Sequence, residues 1–152
     1  MAAATSTLRL ASSAFQDGGF IPAAYTCDGD GISPPLLISG VPDKTVSLAL
    51  IVEDPDAPRG TWDHWVVFNI DPTTAVIKEG VQPSGVAGKG SAGNTEYAGP
   101  CPPSGTHRYI FSLFALDTKL SLPAGSSKAS VLQAIEGHVL AEAKLTGRYA
   151  RK

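Results

Sequence analysis

VSLALIVEDPDAPRGTWDHWVVFNI, residues 46–70, holds two apolar runs on either side of a polar turn. The first, VSLALIVE (46–53), is bounded by Pro42-Asp43 and Asp54-Pro55; the second, HWVVFNI (64–70), stops at Asp71-Pro72. Short, partly β-branched runs closed by turn formers predict buried strands. The joint itself, DPDAPRGTWDHW (54–65), packs three carboxylates, two prolines, two tryptophans and a histidine into twelve positions. Asp-Pro and Asp-Ala-Pro are ordinary turn chemistry. Taken alone, Asp54 and Asp56 read as a turn and His64 as a satisfied core histidine.

Outward from this joint, HRYIFSLFALD (107–117) is the strongest strand in the chain, and TLRL (7–10) and LLIS (36–39) are weaker ones. Residues 78–106 are dominated by Gly, Ser and Pro and offer nothing regular beyond a short VQP or GVA. A stretch of that length inside a compact domain, feeding a strong strand through GPCPPSGTH, predicts a functional loop. The C-terminal SSKASVLQAIEGHVLAEAKLTG (126–147) places Val131, Leu132, Ile135, Val139 and Ala143 near the helical period. It predicts two short helices broken at Gly137, started by Ser126, Ser127 or Ser130 and ended by Gly147.

Composition bounds the rest. The 152 residues suit one domain, 1–152, with 16 Gly, 12 Pro and only 17% charged residues, a mixture that favours a turn-rich, mainly β fold. A net charge of −2 argues against a nucleic-acid binder, which needs a basic field. The N-terminal MAAATSTLRLASSAF has no basic start and no long apolar core, so neither a signal peptide nor a membrane span is expected, and the cytoplasm is the default location. Two free thiols are the default for Cys27 and Cys101 in a cytosolic chain; their loops, TCDGD and GPCPP, leave a disulfide open as the alternative.

The polar groups gather at the ends of the apolar runs. In an extended chain i and i+2 share a side, so Asp54 and Asp56 are expected to project together. His64 should share a face with Val66 and Phe68, and His107 with Tyr109 and Phe111. His138 and Trp65 read as structural; Trp62, ahead of its strand, is placed to line a pocket. No GxSxG, phosphate loop, dinucleotide motif or metal spacing is present, and Asp54 and Asp56 stand too close in sequence to flank a sugar ring. No catalytic residue, metal or cofactor is therefore assigned. The set suits an anion pocket: a histidine N–H donates to the anion, a carboxylate behind each histidine orients the ring, and backbone amides of the Gly/Pro loop complete the cradle.

DPDAP, then HW at the head of a strand, then GPCPPSGTHRYIF resemble the phosphatidylethanolamine-binding protein family, in its bacterial and archaeal Raf-kinase-inhibitor-like branch. YTCDGDGISPPL (25–36) and GHVLAEAKLTGRYAR (137–151) resemble it too, so the likeness spans nearly the whole chain. The resemblance implies a large, antiparallel-rich central β-sheet packed on a smaller sheet, with short C-terminal helices. It also implies a small anion site that takes phosphate, acetate or a phosphoethanolamine headgroup. Carried over by motif, that site comprises Asp54, Asp56, Trp62, His64, Pro102, Pro103, His107 and Tyr109. The function implied is non-enzymatic and modulatory, with a homodimer as the family habit. Two rivals stand beside it: an inhibitor or scaffold that meets a protein partner through loop 78–106, and a weak acid–base hydrolase using His64 or His107 with Asp54. The sequence departs from the family pattern at Ile38, where an aromatic is usual, and at Gly90 and Ala92, where Asn and Phe are usual. If those positions shape the pocket, a wider one is expected.

Overall fold

A computed structural model describes residues 7–151. In chain order its elements are β1 (Arg9–Ala11), β2 (Leu36–Ser39), β3 (Ser47–Asp54), β4 (Trp62–Ile70), β5 (Val76–Ile77), β6 (Val86–Ala87), β7 (His107–Leu116), α1 (Lys128–Ile135) and β8 (Val139–Tyr149), with one turn of 3₁₀ helix at Ala23–Tyr25. The strands form a small sheet, β1-β2-β5, and a large one, β6-β4-β3-β7-β8. Every strand pairing in both is antiparallel.

Strand β3 is the axis of the large sheet, and both of its faces are covered. Leu48, Leu50 and Val52 pack with Leu10, Leu36, Ile38 and Ile77 of the small sheet. Ala49 and Ile51 look the other way and pack with Leu120 and with Val131 and Ile135 of α1. Burial on both sides explains why SLALIV reads as an unbroken apolar run, where a strand with one wet face would alternate. Helix α1 begins as predicted: the Ser127 hydroxyl caps it by accepting from the Ser130 amide at 3.2 Å. Gly137, at φ +79°, makes the break that follows.

The second predicted helix is a strand. Residues 139–149 form β8, paired with β7 from Leu116↔Val139 to His107↔Tyr149. Ala141, Ala143, Leu145, Gly147 and Tyr149 are buried and the residues between them are not, a period of two. The Ala, Glu, Lys and Leu of this segment favour a helix intrinsically. Ten cross-strand pairs along β7 override that preference. Gly147 likewise ends no helix. It lies within β8 opposite Tyr109, where a Cβ would stand 2.5 Å from Ile21 Cγ1 and only glycine fits without a shift. The outer edge of β8 is partly covered by residues 18–21, through Gly18 N–H to Thr146 O at 2.7 Å and Ile21 N–H to Arg148 O at 2.8 Å. Among the described residues no helix is long and apolar enough to cross a membrane.

Candidate functional site

Three neighbouring strands bring one end of each to the same margin of the large sheet: the C-terminal end of β3 and the N-terminal ends of β4 and β7. Asp54 lies across from Trp62, and Glu53 across from both Asp63 and Ile110. Between the pairs Glu53↔Asp63 and Val52↔Trp65 the register shifts, and His64 is the extra residue. A bulge of this kind turns a side chain out of strict alternation. Val66 and Phe68 pack toward α1, whereas the His64 ring meets Tyr109 edge-on at 5.2 Å, on the face toward the small sheet. The expectation that His64 shares a face with Val66 and Phe68 is thus corrected by one inserted residue.

The two aspartates part company. Asp54 is buried; one of its oxygens accepts from His107 Nδ1 at 2.6 Å and the other from the Asp56 amide at 2.7 Å. That second bond closes an Asx turn as β3 ends, so Asp56 leaves the extended geometry that would have kept it beside Asp54. Asp56 instead takes Arg108, accepting from its backbone N–H, Nε and Nη2, each at 2.9 Å. His107 and Arg108 are consecutive in β7 and point to opposite faces, which is why one carboxylate serves the pocket and the other the outside. The Arg108 hydrogen bonds hold the Asp56 carboxyl down at about 2.

His64 has no carboxylate behind it. Its Nδ1 lies 2.6 Å from the carbonyl oxygen of Ala98, and the Ala98 amide donates back to the His64 carbonyl at 3.0 Å. The expected pair of His–Asp couples is therefore one couple, His107–Asp54, and one His–carbonyl contact. Burial depresses the His64 pKa, against the opposing effects of the Ala98 bond and the Asp54 charge.

The Gly/Pro loop forms the facing wall. Cys27 and Cys101 are joined in a disulfide, with Cα atoms 5.4 Å apart, so the default of two free thiols is overturned. The Cys27 amide also donates to Pro100 O at 3.0 Å. Both links tie the loop to the segment 25–28, on which Tyr97 also rests by donating to Tyr25 O at 2.9 Å.

These walls enclose a cavity of about 250 Å³ lined by Asp54, Ala57, Pro58, Trp62, His64, Ala98, Gly99, Cys101, Pro102, Pro103 and His107. Six of the eight sequence-predicted residues thus meet around one space, and Asp56 and Tyr109 stand outside it. Tyr109 is buried behind both imidazoles, stacked on His107 at 6.5 Å between ring centres, and its hydroxyl has no hydrogen-bond partner among the described residues. Burial and then the Asp54 charge push its pKa upward. Sequence reasoning missed the Arg108 clamp and the lining by Ala57, Pro58, Ala98, Gly99 and Cys101. The first three of these signals were present as the R of HRY and the AP of DPDAP; Ala98 and Gly99 carried none. Ile38 is core, and neither it nor Gly90 or Ala92 lines the cavity. Among the described residues no group of three or more His, Cys, Asp or Glu side chains could hold a metal ion.

The profile of the phosphatidylethanolamine-binding proteins matches residues 11–150 of this chain. The chain belongs to the phosphatidylethanolamine-binding protein family. A UPF0098 protein of the archaeon Methanothermobacter thermautotrophicus is 54% identical over 150 residues, covering 95% of this chain and 99% of that protein. A solved structure described as a family homologue from Chlamydia trachomatis superposes with a TM-score of 0.94 at 44% identity, covering 97% of this chain and all of that one. YbcL of Escherichia coli, described as a member of the mammalian family, gives a TM-score of 0.87 at 33% identity over 95% of this chain and 99% of its own. The two antiparallel sheets and the C-terminal helix are the fold these family members share.

Proposed function

We propose that this family member is a non-enzymatic binding protein for a small anionic or phosphorylated ligand held between His64 and His107. One observation carries the reading. Each imidazole commits Nδ1 to an acceptor in the cavity wall, Ala98 O or Asp54, and neither Nε2 has a partner among the described residues. Two oriented ring nitrogens at one small, mostly apolar cavity suit a compact polar head with an apolar tail. At about 250 Å³ the space suits a phosphate-sized group with a few further atoms.

The hydrolase reading finds less support. The one sulfur at the cavity is spent in the Cys27–Cys101 bond, and no serine or threonine lines the wall. The loop-as-ligand reading also finds less, because Ala98, Gly99, Cys101, Pro102 and Pro103 turn inward to the cavity. The test is an NMR titration of the imidazole resonances with inorganic phosphate. His64 and His107 should shift together and saturably, while His138, paired with exposed Asp117 at 2.8 Å, stays still. A flat response at both pocket rings, or an unchanged phosphate affinity in His64→Ala, would sink the proposal.

A further inference from the structure

The loop that walls the cavity is fastened in two different ways, and the change comes at Pro100. We propose that the Cys27–Cys101 bond is a redox-active site that latches the cavity mouth. A dithiol reductant opens the bond in the folded protein, the strap 101–106 leaves the mouth, and oxidation draws it back. The latch follows from the fastenings of the loop itself; its effect on ligand affinity rests on the anion-binding reading above.

Up to Pro100 the loop is held by non-covalent contacts. Tyr97 donates to Tyr25 O at 2.9 Å. Ala98 is gripped by His64 twice, through its amide at 3.0 Å and its carbonyl oxygen at 2.6 Å. Gly99 lies so close to the neighbouring backbone that a Cβ there would stand 3.1 Å from both Thr26 Cα and Tyr25 O. Pro100 O accepts from the Cys27 amide at 3.0 Å. Beyond Pro100 such contacts stop. Among the described residues none of 101–106 makes a hydrogen bond or an ion pair, and Pro102 and Pro103 have no N–H to offer. The next fastening is His107, held on Asp54. The strap therefore hangs between two fixed ends, with the disulfide as its cross-link to the rest of the chain. That bond keeps Cys101, Pro102 and Pro103 in the cavity lining.

The bond is also placed to be reached. Cys27 and Cys101 are both exposed, and neither belongs to the two apolar cores. Disulfides that only brace a fold resist reduction, whereas exposed ones are those that exchange with external thiols. The ladders that join β3 to β7 and β7 to β8 do not pass through this bond, so the sheet wall stands without it. Ala98 stays with His64 when the strap is released, and His107 stays with Asp54. The imidazoles keep their places, and what is lost is the enclosure supplied by Pro102 and Pro103.

The exchange needs only the dithiol. One thiolate of the reductant attacks one sulfur of the pair, forming a mixed disulfide, and the other protein sulfur leaves as a thiolate that takes up a proton. The second thiol of the reductant loses its proton and displaces the first protein sulfur, which is protonated in turn. The protein gains two electrons and two protons as two thiols, and the reductant becomes a disulfide. Oxidised glutathione reverses the change and leaves as two molecules of the reduced tripeptide.

The experiment compares the whole chain oxidised and after dithiothreitol, without denaturant. Thiol titration should find two new thiols while the far-ultraviolet circular dichroism is unchanged. Relaxation of the ¹⁵N nuclei should show the amides of Ser104, Gly105 and Thr106 gaining amplitude, with Ala98 and Tyr109 as still as before. Calorimetry should show affinity for inorganic phosphate falling about tenfold as the enclosure is lost, and returning after oxidised glutathione. The double variant Cys27→Ser, Cys101→Ser should match the reduced protein and ignore dithiothreitol. A bond that yields only in denaturant, a sheet that unfolds on reduction, or a strap no more mobile when reduced overturns the latch. Equal phosphate affinity in the two states overturns it as well. Absence of phosphate binding to the oxidised protein sinks the anion-binding reading alone, and the strap amides still decide the latch.

Discussion

The pocket has two walls of different construction. One is made of strand ends: Asp54, Trp62, His64 and His107 are carried by β3, β4 and β7, the three strands at the heart of the large sheet. The other is made of residues 98–103, which belong to no strand or helix and are held by a disulfide, a few backbone contacts and Tyr97. The sheet wall fixes where the imidazoles stand. The loop wall fixes only how much room they have, apart from Ala98, which decides the tautomer of His64. Chemistry and volume are thus assigned to separate parts, and each can be disturbed with limited effect on the other.

The largest disturbance is at the loop wall. Replacing both Cys27 and Cys101 with serine removes a cross-link between residues 74 apart in sequence. On chain-entropy grounds this lowers stability by about 4 kcal/mol. A urea titration measures the loss, and hydrogen exchange should show amides around residues 98–101 loosening before those of β3 and β7. Uniform loosening across both regions would break the distinction between the walls.

Next is the sheet wall. Asp54→Ala strands His107 Nδ1 and the Asp56 amide in a buried place and should cost about 3 kcal/mol. Phosphate affinity should fall at the same time, whereas the disulfide variant, while folded, keeps the His107–Asp54 pair. Equal affinity in wild type and Asp54→Ala would remove the carboxylate from the account of the site.

Asp56→Asn is a smaller test. The folded-state carboxyl sits at about 2 against roughly 3.9 in an unfolded chain, so its contribution is present above pH 4. It fades as the pH falls toward 2. The wild-type advantage in urea midpoint should be modest at pH 7, since the Arg108 partner is half exposed, and should vanish near pH 2. A gap that persists at pH 2 would mean the aspartate acts through something other than its charge. The least effect on stability belongs to Trp62→Ala, below about 1 kcal/mol, because the ring is 40% exposed at the pocket mouth. Binding of an ester with an aromatic tail should weaken more than binding of inorganic phosphate, a comparison that fluorescence-free calorimetry reads directly.

Much of this architecture is written in local patterns. The buried strands announced themselves because two covered faces leave an uninterrupted apolar run, and the turn chemistry of Asp-Pro marked where β3 and β4 stop. What escaped is what depends on partners. The strand β8 carries helix-favouring residues and becomes a strand only because β7 offers it a ladder. The facing of His64 hinges on a register shift that no single strand displays. Asp54 and Asp56 diverge because one sits at the last paired position and the other just beyond it, a distinction of one turn. Arg108 went unremarked because its role appears only when Asp56 is seen to have left the pocket. The disulfide was undecidable from two distant loops, since only the fold brings Cys27 to Cys101.

The turn that joins β3 to β4 has one further consequence. Its first part is anchored by the grip of Asp56 on Arg108, and its last residue passes directly into the Asp54↔Trp62 pair. Between these anchors Arg59, Gly60 and Thr61 are exposed, and a side chain added at Gly60 would meet no atom within 4 Å. A residue inserted there would project into solvent and need not move either strand out of step. For the protein engineer the same spot, beside the mouth and outside the chemistry, is a grafting point for a fluorophore or an added peptide that reports on whatever enters.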